Sequence, residues 1–326
     1  MSDDHQSDEP VALVEPPFDA LDADIVLRSS DGADIRTHKF ILSYISPVFR
    51  TMLSLPRPSE ESTISPSPST LATITMEENR NTLQKLLRPC YPGFDISLDS
   101  LGDIKLVINA ATKYDMQSVL GSLKKWIVTS SIFQTNPLAF YAISCRQGWE
   151  AEVRISAEKV LEVMDFNPGA SQYVPELEDI SGGTYYRLVA YHAQCGAVAK
   201  ATADVQDLKL FDVQFFGKHE CPTGDSRPSC LVSLEVDVGS AGKRYYKFPN
   251  WILTYLNNIG EELLLRPCAS TVMKSGFFEK AVLDGSRCNY CRRVVITKLS
   301  QTRGVFAARV AEVVSQVQLE FVPPTP

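Results

Sequence analysis

Residues 24–53 read DIVLRSSDGADIRTHKFILSYISPVFRTML, and this stretch decides the fold of the first part of the chain. An aliphatic run at residues 25–27 and a second run at residues 33–37 flank Ser-Ser-Asp-Gly, which predicts a β-hairpin. Apolar residues then recur at helical spacing until Ser46-Pro47, where the helix is broken because a residue before proline disfavours the helical region. The stretch therefore predicts a hairpin followed by two short helices.

The order of these residues resembles the signature of BTB/POZ domains. That signature has an acidic residue before three apolar ones, a polar turn, a His-Lys pair, an apolar helix, a Ser-Pro break and a Phe. The matching positions are Asp24, residues 25–27, Gly32, His38, Lys39, residues 41–42, residues 46–49, Met52 and Leu53. A generic hairpin and helix would reproduce this order over thirty residues only by chance.

The resemblance extends over about residues 20–130 and implies an α+β fold, with a small sheet, a hairpin and a cluster of helices. Apolar periodicity predicts a mainly α-helical C-terminal region after it. We expect four parts: a disordered acidic tail at residues 1–19, the BTB/POZ domain at 20–130 with a mobile Pro/Ser loop at 56–70, a helical extension at 131–205, and a mixed region with long helices and a zinc knuckle at 206–326.

The whole arrangement resembles fungal (basidiomycete-type) BTB proteins with a helical, cysteine-bearing C-terminal region. It implies a non-enzymatic interaction module that self-associates or acts as an adaptor, including a substrate adaptor for a cullin-type ubiquitin ligase. Swapped BTB dimers use a long helix before the first strand, whereas Pro10, Pro16 and Pro17 interrupt that segment here. We therefore expect a weaker dimer through residues 40–53, and little loss of stability when residues 1–18 are deleted.

The resemblance also implies which residues bind proteins. They are Asp24, His38, Lys39, Phe40, Tyr44, Phe49 and Met52. In BTB domains the positions of Asp24 and Lys39 line a charged pocket near the dimer interface. A stabilising ion pair with no ligand role is the alternative for these two residues.

The charge of the chain is concentrated at its start. The formal net charge is −7, but residues 1–19 contain six acidic residues and no Lys or Arg, so the remainder carries about −1. A nearly neutral folded part without a basic stripe disfavours nucleic-acid binding, although a DNA-associated regulator is the alternative function. No run of about 18 apolar residues is present. We expect a cytoplasmic or nuclear protein without membrane contact.

A Cys-x-x-Cys motif at Cys288 and Cys291 has the spacing of a zinc knuckle. His219 and Cys221 are the candidate third and fourth ligands of a structural zinc, with Cys230, His192 and Cys195 in reserve. The adjacent arginines are expected to favour thiolates. Plain packing of two small residues and a redox pair are the alternatives.

A catalytic site is not expected. His192 and Cys195 could form a nucleophile pair, but their apolar setting is typical of core residues. A zinc or thiol enzyme would have to use the same Cys288, Cys291, Cys221 and His219. We therefore predict no catalytic residues and no certain cofactor, with structural zinc as the candidate.

Overall fold

The computed structural model describes residues 15–55, 71–166, 173–204, 230–237 and 243–324. The chain divides into two compact units, Met1–Thr135 and Asn136–Pro326. The predicted loop at residues 56–70 and most of the predicted tail lie outside the described residues. The α+β character of the first unit and the mainly helical second unit are as predicted.

A three-stranded sheet forms the centre of the first unit. Its strands are β1 (Ile25–Arg28), β2 (Asp34–Thr37) and β3 (Ala72–Thr75). The order is β2-β1-β3, with β1 antiparallel to β2 and parallel to β3. Gly32 takes a positive φ of 81° in the hairpin turn, a conformation that glycine adopts without strain. The apolar side chains of β1 are buried, so this strand is the core of the sheet.

Six helices complete the described part of the first unit. They are α1 (Lys39–Ile45), α2 (Pro47–Ser54), α3 (Arg80–Leu87), α4 (Leu101–Lys113), α5 (Gln117–Thr129) and α6 (Ser131–Thr135), with a 3-10 turn at Arg88–Cys90. The two short helices predicted after the hairpin are α1 and α2, and they meet at the predicted Ser46-Pro47 break.

The break between α1 and α2 is fixed by Ser46. Its hydroxyl accepts a hydrogen bond from the Phe49 N–H at 3.0 Å, which caps α2, and donates to the Tyr114 carbonyl at 2.5 Å. The Phe49 ring stacks on the Tyr114 ring with centroids 4.8 Å apart. The Ser-Pro break is therefore tied to the end of α4, far away in sequence.

The first unit begins earlier than the sequence predicts. Phe18 is only 2% exposed, and its ring packs edge-on against Tyr91 with centroids 5.8 Å apart. The predicted disordered tail at residues 1–19 is therefore too long at its C-terminal end, and deleting residues 1–18 would remove a core side chain. Acidic residues lie near Phe18 in the sequence, so its pattern did not indicate that this one apolar side chain is buried.

The second unit contains seven helices and a two-stranded hairpin within its described residues. The helices are α7 (Pro137–Gln147), α8 (Glu150–Val163), α9 (Gly182–Ala201), α10 (Asn250–Leu265), α11 (Ala269–Val272), α12 (Ser275–Ser286) and α13 (Val295–Ser315). The strands are β4 (Leu231–Asp237) and β5 (Lys243–Pro249), which pair antiparallel. The described residues of this unit also form 3-10 turns at Pro175–Asp179 and Cys291–Arg293.

Within the residues that the structure describes, two apolar cores hold the second unit together. One core joins α7, α8 and α9 and includes Leu319 from the end of the chain. The other joins α10, α12 and α13 to the β4–β5 hairpin, with Trp251, Tyr255 and Phe306 among its largest side chains. Among the described helices, none is long and apolar enough to cross a membrane.

The buried position of Phe18 predicts a specific loss of stability. Phe18→Ala should lower the free energy of unfolding by about 3 kcal/mol, because it removes a core phenyl ring and leaves a cavity beside Tyr91. Urea unfolding of the full chain measures this change. Leu21→Ala is the matched control: Leu21 is 93% exposed, and its removal should change stability by less than about 0.5 kcal/mol. Equal effects of the two substitutions would contradict the placement of Phe18.

Candidate functional site: the exposed face of helix α1

Helix α1 presents two aromatic side chains to solvent. Phe40 is 78% exposed and Tyr44 is 76% exposed. Four residues apart, they share one face of the helix, and their rings stack with centroids 6.1 Å apart at an angle of 19°. Leu42, on another face, is fully buried and anchors α1 to the core. The aromatic pair is therefore held at the surface by a well-packed helix.

Asp24 fixes the start of α1. Its Oδ1 accepts a hydrogen bond from the backbone N–H of Lys39 at 2.7 Å, whereas His38 makes no side-chain cap. A carboxylate at this place also interacts favourably with the positive end of the helix dipole. The side chains of Asp24 and Lys39 form no ion pair in the part of the chain that the structure describes. Asp24 thus caps the helix through the backbone N–H of Lys39. The charged side chains of the two residues do not pair as the sequence predicted.

His38, the residue before α1, contacts Tyr91 and Asp22. Its Nδ1 lies 3.2 Å from the Tyr91 hydroxyl, which lies 2.6 Å from Thr37 Oγ1. Its Nε2 lies 3.5 Å from an oxygen of the exposed Asp22 carboxylate. Burial raises the pKa of Tyr91, so its hydroxyl stays protonated and keeps its place in this network. His38 is therefore half-buried and positions α1.

Phe49 and Met52 were predicted to contact partners, but neither side chain is fully exposed. Phe49 is fully buried against Tyr114, because the Ser46 cap turns the first residues of α2 toward α4. Met52 is half-buried on α2. Phe49 thus belongs to the core, and the freely accessible apolar part of the predicted surface consists of Phe40 and Tyr44.

The family model of the BTB/POZ domain matches residues 18–131. This part of the chain is a BTB/POZ domain. The match begins at the buried Phe18 and ends within α6, so it coincides with the described part of the first unit. No curated protein matches the chain. The resemblance seen in residues 24–53 is confirmed, and BTB domains are protein-interaction modules.

The structure brings the Cys-x-x-Cys motif together with a third cysteine. The Sγ atoms of Cys230, Cys288 and Cys291 all lie within 4.8 Å of one another. Burial raises the pKa of the Cys291 thiol to about 11, and this effect outweighs any influence of the adjacent arginines that were expected to favour a thiolate. His219 and Cys221, the other two predicted ligands, lie outside the described residues.

The sequence offers Cys230 only as a reserve ligand. The fold explains why it lies beside Cys288 and Cys291. Its carbonyl accepts a hydrogen bond from the Asn250 N–H at 2.8 Å, because the β4–β5 hairpin returns the chain to the start of α10. Trp251, the next residue, packs in the same core as Cys291. The apolar residues at positions 232, 234 and 236 alternate as in a strand, and they are a sequence signal for β4, which follows Cys230.

The other reserve residues serve the core of the second unit. His192 is buried, and its Nε2 lies 3.0 Å from the Leu265 carbonyl oxygen. Burial lowers the pKa of His192 and raises the pKa of Cys195 to about 11, so both are neutral at pH 7. A neutral imidazole and a protonated, buried thiol form no activated nucleophile. The predicted core role of this pair agrees with the packing.

The Asp24 cap predicts an asymmetric pair of substitutions. Asp24→Ala should destabilise the protein by about 1 kcal/mol, because the first turn of α1 loses its cap. Lys39→Ala keeps the backbone N–H and should cost less than about 0.5 kcal/mol. Urea unfolding of both variants and of the double variant gives the coupling between the side chains. A coupling as large as the Asp24→Ala effect would show that the side chains form an ion pair instead.

Proposed function

We propose that this protein works through protein–protein contacts, and that its BTB domain binds partners with the exposed face of α1. The stacked pair of Phe40 and Tyr44 is the observation that carries this proposal. Large aromatic side chains are enriched at the centres of protein interfaces, where their burial dominates the binding energy. A folded domain that holds two such rings in water has a surface suited to a protein partner.

A second copy of the chain is the first partner that we propose. In a two-fold symmetric dimer each chain contributes the same patch, so four aromatic side chains become buried. At about 1.5–3 kcal/mol for each ring, the gain is about 6–12 kcal/mol, against an association cost of about 4–15 kcal/mol. These opposing contributions favour a weak, reversible dimer.

A third exposed apolar residue lies near the start of α1. Leu21 is 93% exposed and precedes Asp22, whose carboxylate reaches His38, the residue before α1. Exposed apolar side chains of this kind suit a partner with a shallow apolar groove, such as another BTB domain or a helical scaffold protein.

The adaptor role implied by the BTB resemblance uses the same kind of contact. A cullin-type ubiquitin ligase scaffold is the partner class that this role requires. We propose that the BTB domain supplies the scaffold contact while the helical second unit supplies a separate binding surface. The exposed aromatic pair supports a protein contact in either role.

Replacing the aromatic pair should abolish association without unfolding the domain. Phe40→Ser/Tyr44→Ser removes the exposed rings and leaves the buried Leu42 in place. Sedimentation equilibrium from about 1 to 100 μM should show a monomer–dimer equilibrium for the natural chain and only monomer for the variant. Unfolding midpoints measured at the lowest concentration should be nearly equal.

Leu106→Ser is the matched control, because Leu106 is a 48% exposed apolar residue on α4. This control should dimerise like the natural chain. A pull-down with a cullin scaffold, performed with the same three proteins, tests the adaptor role separately. A double variant that retains both dimerisation and scaffold binding would show that the α1 face is not the binding surface.

A further inference from the structure

Three cysteines converge in the second unit from two distant parts of the sequence. Cys230 lies directly before β4, while Cys288 and Cys291 lie between α12 and α13. Their Sγ atoms lie within 4.8 Å of one another, and those of Cys230 and Cys291 are 3.7 Å apart. Among the described residues, this is the one cluster of three or more Cys, His, Asp or Glu side chains close enough to share a metal ion.

The spacing of the sulfur atoms fits a metal ion better than a disulfide bond. Tetrahedral zinc with Zn–S bonds of about 2.3 Å places two sulfur ligands about 3.8 Å apart. The distance of 3.7 Å between Cys230 and Cys291 agrees with that separation. A disulfide requires a sulfur–sulfur distance of about 2.05 Å, which is far shorter. The Cys230–Cys291 pair, which the free thiols hold as an S–H···S contact, therefore has the separation of two zinc ligands, and the Cys288 sulfur lies within 4.8 Å of both.

Hydrogen bonds of the backbone hold the cluster in place. The Cys288 carbonyl accepts from the Arg292 N–H at 3.0 Å, and the Cys291 carbonyl accepts from the Val294 N–H at 3.0 Å. These bonds close the chain into a compact knuckle around the Cys-x-x-Cys motif. Cys230 is held on the opposite side by its hydrogen bond from Asn250. The ligand positions thus follow from the fold of the chain itself.

The surroundings of the cluster are closely packed. A Cβ atom at Gly285 would lie 2.8 Å from Val295 Cγ2, so the turn before Cys288 can approach α13 only with glycine at this position. The buried indole N–H of Trp251 interacts with the Cys291 sulfur, which lowers the pKa of that thiol, and among the described residues it has no other hydrogen-bond partner. A donor at this place is suited to a metal-bound thiolate, since metal ligands are commonly supported by such outer contacts.

We propose that Cys230, Cys288 and Cys291 bind a zinc ion that fastens the β4–β5 hairpin to the turn between α12 and α13. Three thiolates are soft ligands, which select zinc over magnesium or calcium. The described residues supply three of the four ligands of a tetrahedral ion. On binding, each thiol loses its proton to solvent and the sulfur forms a bond to Zn²⁺, with no change in oxidation state. The role is structural, because the ion cross-links two segments of one core.

Metal analysis of the full chain, purified under reducing conditions without added chelator, tests this proposal. The natural protein should contain about one zinc per chain. Cys230→Ser should lose most of the metal, whereas Cys268→Ser should keep it. Cys268 is a half-buried cysteine of the same unit whose thiol contacts Ser270 and Thr271. A strong chelator should lower the unfolding temperature of the natural chain and of the control variant but not that of Cys230→Ser.

Cobalt substitution keeps the test decisive even if Cys230→Ser fails to fold. Cobalt bound to the natural chain and to the Cys268→Ser control should show sulfur-to-metal charge-transfer bands and tetrahedral d–d bands, which report thiolate ligands without any substitution in the cluster. A chain that takes up neither zinc nor cobalt overturns the proposal. So does a Cys230→Ser variant with undiminished zinc, or a disulfide between Cys230 and Cys291 in the reduced preparation.

Discussion

The pairing of β1 on both of its edges is the constraint on which the first unit depends. β1 is antiparallel to β2 and parallel to β3, so the chain must cross over between β1 and β3. Helices α1 and α2 lie on this crossover and have to pack where the sheet and α4 allow. Because Asp24 directly precedes β1, the same pairing places its carboxylate at the first turn of α1. The exposed aromatic face of α1 is a consequence of this arrangement.

In the second unit, the stability of the β4–β5 hairpin is the main constraint. A two-stranded hairpin such as β4–β5 is marginally stable alone and needs packing against other elements. Phe248 and Val236 supply part of that packing through the core shared with α10 and α13. The proposed metal site would add a second, chemically distinct connection at the start of β4. Apolar burial and metal ligation would then stabilise the same core, since Cys291 is itself a fully buried member of it.

The sequence revealed the parts of the fold that depend on local pattern. The hairpin of residues 25–37 and the Ser46-Pro47 break follow from turn formers and proline, and both are present. Helix α12 and strand β5 were not predicted. Gly276 and Gly285 lower the helical propensity of α12, and charged residues dilute the apolar alternation of β5. Helices and strands with such weak sequence patterns can be identified only when the elements that they pack against are known.

The position of a side chain in the site depended on contacts that are distant in sequence. Phe49 matches a signature residue, yet its burial is decided by the bond of Ser46 to Tyr114, 68 residues away. Cys230 joins Cys291 across 61 residues, which no spacing rule indicates. Phe40 and Tyr44 were named as binding residues from the BTB resemblance; both are exposed on α1, and their part in binding stays a prediction. The sequence thus indicated candidates for contact, whereas the separation of exposed from buried residues required the tertiary structure.

Hydrogen–deuterium exchange of the full chain as a function of its concentration tests most directly whether α1 is the contact surface. Exchange of peptides covering residues 39–45 should slow as the concentration rises through the range in which the mass doubles. Peptides covering α4 should exchange at a constant rate. If the mass doubles while residues 39–45 exchange at an unchanged rate, the chains associate through another surface and the central claim is wrong.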